Sequence, residues 1–194
     1  MMKVTVLSAT ENPVDVISMA AGVCYGRFNK SKKRLETCYR SGHLSVFEHA
    51  TCSFYIEGIS RACMAQLTRH RLVSFCVESQ RYCKYDLEGD DWYVVPPSID
   101  CMNRVWFDAK MQEDAQDYLD AIQEGIKPED ARYLLPEATK TNLVMTCNVR
   151  ELFHIFDMRL DRSAQWEIRD LVAAMRDACK GINGEWRELM EVRA

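Results

Sequence analysis

The chain has 194 residues, 47% of them hydrophobic, and a formal net charge of −4. That length supports one well-buried core, and an acidic balance lacks the broad basic field of a nucleic-acid binder. Nine cysteines without a C-x-x-C pair, no export signal and no apolar run of membrane-span length point to reduced thiols in a soluble cytoplasmic protein, with no metal site and no membrane partner.

Lys3 to Ser8 alternates, with Val4 and Val6 on one face, and predicts a strand. Pro13 suits the first turn of a helix over Val14 to Val23, which Gly26 ends. Lys30 to Arg40 is a charged helical segment with a solvated face. Ser41 to His49 holds two of the four histidines beside Gly42, Ser41 and Ser45, the composition of a loop with polar purpose. Ala50 to Ile56 reads as a strand, and Ser60 to Thr68 as a short helix entered through the serine as a cap. Its apolar stripe Ile59, Ala62, Cys63 and Leu67 also carries Gln66, with His70 one turn later. A Gln there is either a hydrogen-bonded core residue or part of a recognition site.

The next stretch, Arg69 to Tyr82, concentrates Arg69, His70, Arg71 and Arg81 among Ser74, Glu78, Ser79 and Gln80. An isolated basic triplet is most often a wet helix face. This mixture of cations, donors and acceptors suits phosphates together with a heterocycle. Residues i and i+2 point about 200° apart on a helix, so either the helix ends before the run or Arg69 and Arg71 serve two ligands. Trp92 to Pro97 predicts a strand closed by prolines, Met102 to Glu124 a long acidic helix, and Pro128 a helix restart. Arg132 precedes an apolar pair and Pro136, and Thr139 to Cys147 is strand-like. From Asn148 to Leu160, the residues Val149, Leu152, Phe153, Phe156 and Leu160 form one buried helical stripe. Asn148 and Arg159 fall along one edge of it, Arg150 and His154 on the other side. The last long helix starts near Ser163 and closes at Gly181.

Several of these strings resemble the flavin-dependent thymidylate synthases. They are Arg69-His70-Arg71 followed after seven residues by Ser79, then Arg81-Tyr82; Gly42-His43-x-Ser45-Val46-x-Glu48-His49; Ala131-Arg132-x-x-Leu135-Pro136; Asn148-x-Arg150 with His154; and Ala164-Gln165-x-Glu167-Ile168-Arg169. The matching blocks run from about 42 to 82 and from 131 to 169. One departure stands out: Cys76-Val77 occupies the place where the family commonly has Asn-Glu, leaving Glu78 as the nearest carboxylate. Cys76 reads as a small buried apolar residue.

The resemblance implies reductive methylation of dUMP to dTMP, with FAD passing hydride from NADPH and methylenetetrahydrofolate giving the one-carbon unit. It assigns His43, Ser45, Arg69, His70, Arg71, Asn148, Arg150 and His154 to FAD, and Gln66, Glu78, Ser79, Gln80, Arg81 and Arg132 to the nucleotide. Arg159 is assigned to the uracil edge and serves as the catalytic group. It further implies a homotetramer with sites shared between subunits, and no catalytic cysteine. The expected fold is α+β: a single domain over residues 1–194, with a mainly antiparallel sheet flanked by helices, assembled as a homo-oligomer. Two alternatives are a related flavoenzyme acting on another pyrimidine nucleotide, for example by hydroxymethyl transfer, and a noncatalytic nucleotide or nucleic-acid binding protein.

Overall fold

A computed structural model describes residues 2–83, 85 and 87–192. In chain order the elements are β1 (Lys3–Ala9), α1 (Pro13–Val23), α2 (Lys32–Arg40), a 3-10 turn (Leu44–His49), β2 (Thr51–Ser60), α3 (Arg61–Leu67) and β3 (Val73–Val77). There follow α4 (Cys101–Gln123), α5 (Pro128–Ala131), a 3-10 turn (Arg132–Leu134), β4 (Lys140–Asn148), α6 (Val149–Arg159), α7 (Trp166–Ile182) and α8 (Gly184–Val192). The strands form a four-stranded antiparallel sheet in the order β1-β2-β4-β3, so the α+β class is as expected. Val4 pairs with Ile56 and Val6 with Phe54, and the register shifts between Val6 and Ser8.

By its contacts the chain divides into two compact units, the first comprising 1–57, 67–76 and 143–194, the second 58–66 and 77–142. In the first, Phe54, Ile56 and Met145 of the sheet are fully buried, as are Leu152 and Phe156 of α6 and Ile168, Leu171, Val172 and Met175 of α7. Phe47, in the 3-10 turn, is ringed by Tyr39 and Phe153 at 5.8 Å each. Gly22 is required at its place in α1: an added Cβ would lie 2.1 Å from the Arg27 carbonyl oxygen and 2.5 Å from Arg34 Nη1. The amino end of α1 takes its cap from far along the chain, with Val14 N–H donating to Glu185 Oε2 at 3.0 Å. In the same corner Trp186, fully buried, donates from Nε1 to the Thr10 carbonyl at 2.9 Å. The second unit is built around α4, whose N-cap Asp100 accepts from the N–H groups of Met102 and Asn103. Met111, Ala115, Tyr118 and Ala121 of that helix pack with Leu87, Trp92, Tyr93 and Ala131.

Helix starts follow the expected chemistry. Ser60 Oγ accepts from Cys63 N–H at 3.0 Å at the entry to α3, Asn148 Oδ1 accepts from Glu151 N–H at 2.9 Å at the entry to α6, and Gln165 caps α7. Trp92 to Pro97 departs from expectation: the segment forms a single antiparallel bridge, Tyr93 to Thr139, and no strand. Pro96 and Pro97 have no N–H to extend a ladder. Two elements were not anticipated, the short strand β3 and the helix α8. All nine cysteines are free thiols, and those of Cys147 and Cys179 are pushed upward, Cys147 chiefly by burial and Cys179 chiefly by its hydrogen bond to Cys52. No helix among the described residues is long and apolar enough to cross a membrane.

Candidate active site

Within the first unit, α6 begins directly where β4 ends, because Asn148 closes the strand and caps the helix. The helical repeat then carries Glu151 and Arg159 to the same side. His70 arrives from the turn after α3, its N–H bonded to the Leu67 carbonyl at 3.2 Å. Since α3 stops at Leu67, Arg69 and Arg71 both lie beyond the helix, which resolves the sequence alternative in favour of a helix end.

His70 is only 7% exposed. Its Nε2 accepts from Arg159 Nε–H at 3.1 Å, its Nδ1 lies 3.3 Å from Glu151 Oε1, and its ring meets His154 edge-on at 5.7 Å. Burial first, then the nearby Arg159 and His154, lower the imidazole pKa to about 4. Burial also raises the Glu151 carboxyl, against the opposing pull of His154 and Arg150. The 3.3 Å approach is therefore that of a neutral imidazole to a buried carboxyl group rather than an ion pair. His70, Glu151 and His154 offer donor atoms within 4.8 Å of one another. The guanidinium already seated on His70 puts positive charge beside that trio, which works against a cation there.

Next to this cluster lies a cavity of about 1070 Å³ whose wall includes Lys32, Tyr39, Arg40, Arg150, Glu151 and His154. Of the residues assigned to flavin, Arg150 and His154 face it and His70 backs His154. Arg150 is paired with Glu48 at 2.5 Å and Lys32 with Glu188 at 2.9 Å, while Arg40 has no ion pair among the described residues. His43, Ser45, Arg69 and Arg71 are exposed, and Asn148 spends its side-chain oxygen on the helix cap. The volume, the cations Lys32, Arg40 and Arg150 and the aromatic rings of Tyr39 and Phe153 suit a large cofactor with planar rings, while Glu36, Asp157, Glu188 and Glu191 share the same wall.

The second unit holds a smaller pocket, about 370 Å³, lined among others by Arg61, Gln80, Arg132, Tyr133 and Glu137. Arg132 Nε donates to the Glu129 carbonyl at 2.9 Å. Arg81 is paired with Glu129 at 2.9 Å and lies 5.3 Å from the Tyr82 ring. Ser79 starts a turn, its carbonyl accepting from Tyr82 and Cys83. Glu78 accepts from Asn142 Nδ2 at 2.7 Å, and Gln66 is half-buried on α3. Cys76 is exposed, not buried as expected, because β3 turns it outward.

Two polar residues escaped the sequence reading. Arg61 donates from Nη2 to the Glu78 carbonyl at 3.0 Å and to Tyr85 Oη at 2.9 Å, and its buried Nε has no hydrogen-bond partner among the described residues. Glu151, which the sequence reading left out of the α6 stripe, is 5% exposed. Its signal was Ile155, one turn on and fully buried, which widens the stripe towards it.

This arrangement, a large cavity walled by basic, acidic and aromatic side chains and a pocket carrying two arginines, suits a protein that binds nucleotide-like ligands. Residues 5–183 match the family model for thymidylate synthase complementing protein. Flavin-dependent thymidylate synthases of Pyrococcus furiosus and Geobacter sulfurreducens are 39% and 38% identical, over 90% and 93% of this chain and 78% and 83% of theirs. The fold matches that of thymidylate synthase X from Helicobacter pylori, solved with FAD and dUMP. The TM-score is 0.82 at 28% identity, covering 100% of this chain and 99% of that one. The chain belongs to the flavin-dependent thymidylate synthase family.

Proposed function

We propose that this protein converts dUMP to dTMP, with FAD in the first-unit cavity, NADPH as reductant and methylenetetrahydrofolate as one-carbon donor. The observation that carries this reading is the Arg159 guanidinium, fixed by a buried neutral histidine rather than left on a mobile stem. Methyl transfer to C5 of uracil requires negative charge to build along the pyrimidine, and a fixed guanidinium beside N3 and its carbonyls stabilises that charge without reorganising. Arg81, Arg132 and Ser79 bind the nucleotide and its phosphate, with Gln66, Glu78 and Gln80 reading the base and sugar. Glu78, held in place by Asn142, supplies the carboxylate that Val77 lacks.

Arg40, Arg150, Lys32 and His154 hold the flavin nucleotide, and His70 orients His154 from behind. Bound flavin supplies the hydride chemistry; the chain supplies binding, orientation and exclusion of water. His43, Ser45, Arg69, Arg71 and Asn148 also belong to the flavin site. Four of these are exposed, as are the large side chains of Leu72, Tyr82 and Tyr133 at 68%, 79% and 83%. Such surfaces favour pockets completed by another copy in a homotetramer. On this reading residues 1–194 act as one synthase domain in the cytoplasm.

The test is an anaerobic reaction of FAD-loaded protein with NADPH, dUMP and methylenetetrahydrofolate, following flavin absorbance and nucleotide products together. Formation of dTMP as the flavin reoxidises is the expected result. Flavin reduction without dTMP would redirect the site to another pyrimidine nucleotide, and a colourless protein unable to take up flavin would end the reading.

A further inference from the structure

Arg159 stands at the end of a chain of two contacts, one hydrogen bond and one close approach, that begins on the cavity wall. Its Nε–H donates to His70 Nε2 at 3.1 Å, and across the ring His70 Nδ1 is 3.3 Å from Glu151 Oε1. An arginine side chain has donors and no acceptor. Nε2 must therefore present its lone pair, and the one proton of the neutral ring must sit on Nδ1, facing Glu151. With both nitrogens protonated, two N–H groups would point at each other in a site that is 7% and 5% exposed at His70 and Glu151. Glu151 itself is placed by the start of its helix, since its N–H is held by Asn148 Oδ1. It also lines the cavity beside Arg150 and His154.

We propose that Glu151 is a positioning residue: it keeps the His70 proton on Nδ1, so that Nε2 remains an acceptor and the Arg159 guanidinium stays fixed in one orientation. The inference rests on the assignment of Arg159 to the pyrimidine for its catalytic consequence, although the tautomer itself does not depend on that assignment. A carboxyl that merely filled space or balanced charge would leave the tautomer indifferent. One that selects the tautomer transmits any change at the cavity wall to Arg159 through a single imidazole ring.

The experiment combines ¹⁵N NMR of the histidine rings with steady-state kinetics. In the unaltered protein near pH 7, His70 shows a protonated Nδ1 and a bare Nε2. Glu151→Ala transfers a measurable fraction of that proton to Nε2 and lowers kcat for dTMP formation by roughly 10- to 100-fold, the range seen when orienting partners of histidine are removed. The KM for dUMP stays near its parent value, and kcat is expressed per bound flavin so that any change in flavin content is separated from it. Glu151→Gln, whose amide oxygen accepts the same N–H, restores the Nδ1 tautomer and most of kcat. Finding the proton on Nε2 in the unaltered protein overturns the proposal and needs no variant to fold. So does a Glu151→Ala protein with the same tautomer and kcat as its parent. A tautomer shift in Glu151→Ala, in a protein whose parent makes no dTMP, upholds the hydrogen-bond chain while removing the synthase reading.

Discussion

The two units hold their polar residues in opposite ways. In the first, His70 and Glu151 are buried 3.3 Å apart and Arg159 is bonded directly to His70, so the cluster is ordered before any ligand arrives. In the second, Arg81 is exposed and paired with Glu129, and Arg132 is tied to a main-chain carbonyl. One region is preorganised, as a group that must stabilise developing charge needs to be. The other holds its cations in provisional pairs that a phosphate can replace with stronger, bidentate ones. On the proposed assignment, rigidity lies where bonds change and exchangeable contacts lie where substrate enters and leaves.

Arg159→Ala attacks the preorganised side and has the largest expected effect. Turnover to dTMP falls by about 100- to 1000-fold, with FAD content unchanged by absorbance, whereas Arg159→Lys recovers little because the Nε–H that His70 accepts is gone. The same cluster should register in the pH dependence of stability. His70 has its pKa lowered from 6.5 to about 4. Between those values the unfolded chain binds a proton that the folded chain refuses, so stability falls as the pH drops through that window and is regained above it. The loss is at most about 3 kcal/mol, and denaturant melts between pH 7 and pH 4 should show it shrinking in His70→Asn.

On the exchangeable side the effects are smaller and appear in binding. Arg132→Ala weakens dUMP binding by about 10- to 100-fold in calorimetry and leaves kcat at saturation near its parent value. Glu129→Gln has the slightest effect. The Arg81 pair is half-exposed, so stability changes by less than about 1 kcal/mol, and dUMP binds a few-fold tighter because Arg81 no longer has to leave a partner. If Glu129→Gln weakened binding, or Arg132→Ala acted on kcat alone, the distinction between the two regions would be lost.

Much of the first region was legible in the residues. Local rules decide helix faces and starts, which is why the stripe of α6, and the Ser60 cap in the second unit, could be read directly, whereas the helix end at Leu67 was one of two alternatives the residues left open. The motif strings marked Arg159, Arg132 and their neighbours as binding groups, though they did not reveal how any of them is held. Glu151 was missed because a charged residue beside a stripe reads as solvent-facing until Ile155 is known to be buried. Arg61 was missed because its partners, Glu78 and Tyr85, are 17 and 24 residues away. The strand β3 was hidden inside the cationic run, its five residues no more than half-buried. The helix α8 was lost behind Gly181 and Gly184, although Trp186, Leu189 and Met190 already had helical spacing. Trp92 to Pro97 shows the reverse error, since strand-forming residues did not outweigh two prolines.

The corner where Glu185 caps α1 and Trp186 reaches Thr10 joins segments more than 170 residues apart in sequence. A growing chain therefore cannot finish the first unit until residue 186 has been made. At roughly 5 to 20 residues per second, that corner waits on the order of ten seconds or more after α1 has been made. A chain cut short before α8 would lack both the carboxylate that caps α1 and the indole that holds the Thr10 carbonyl.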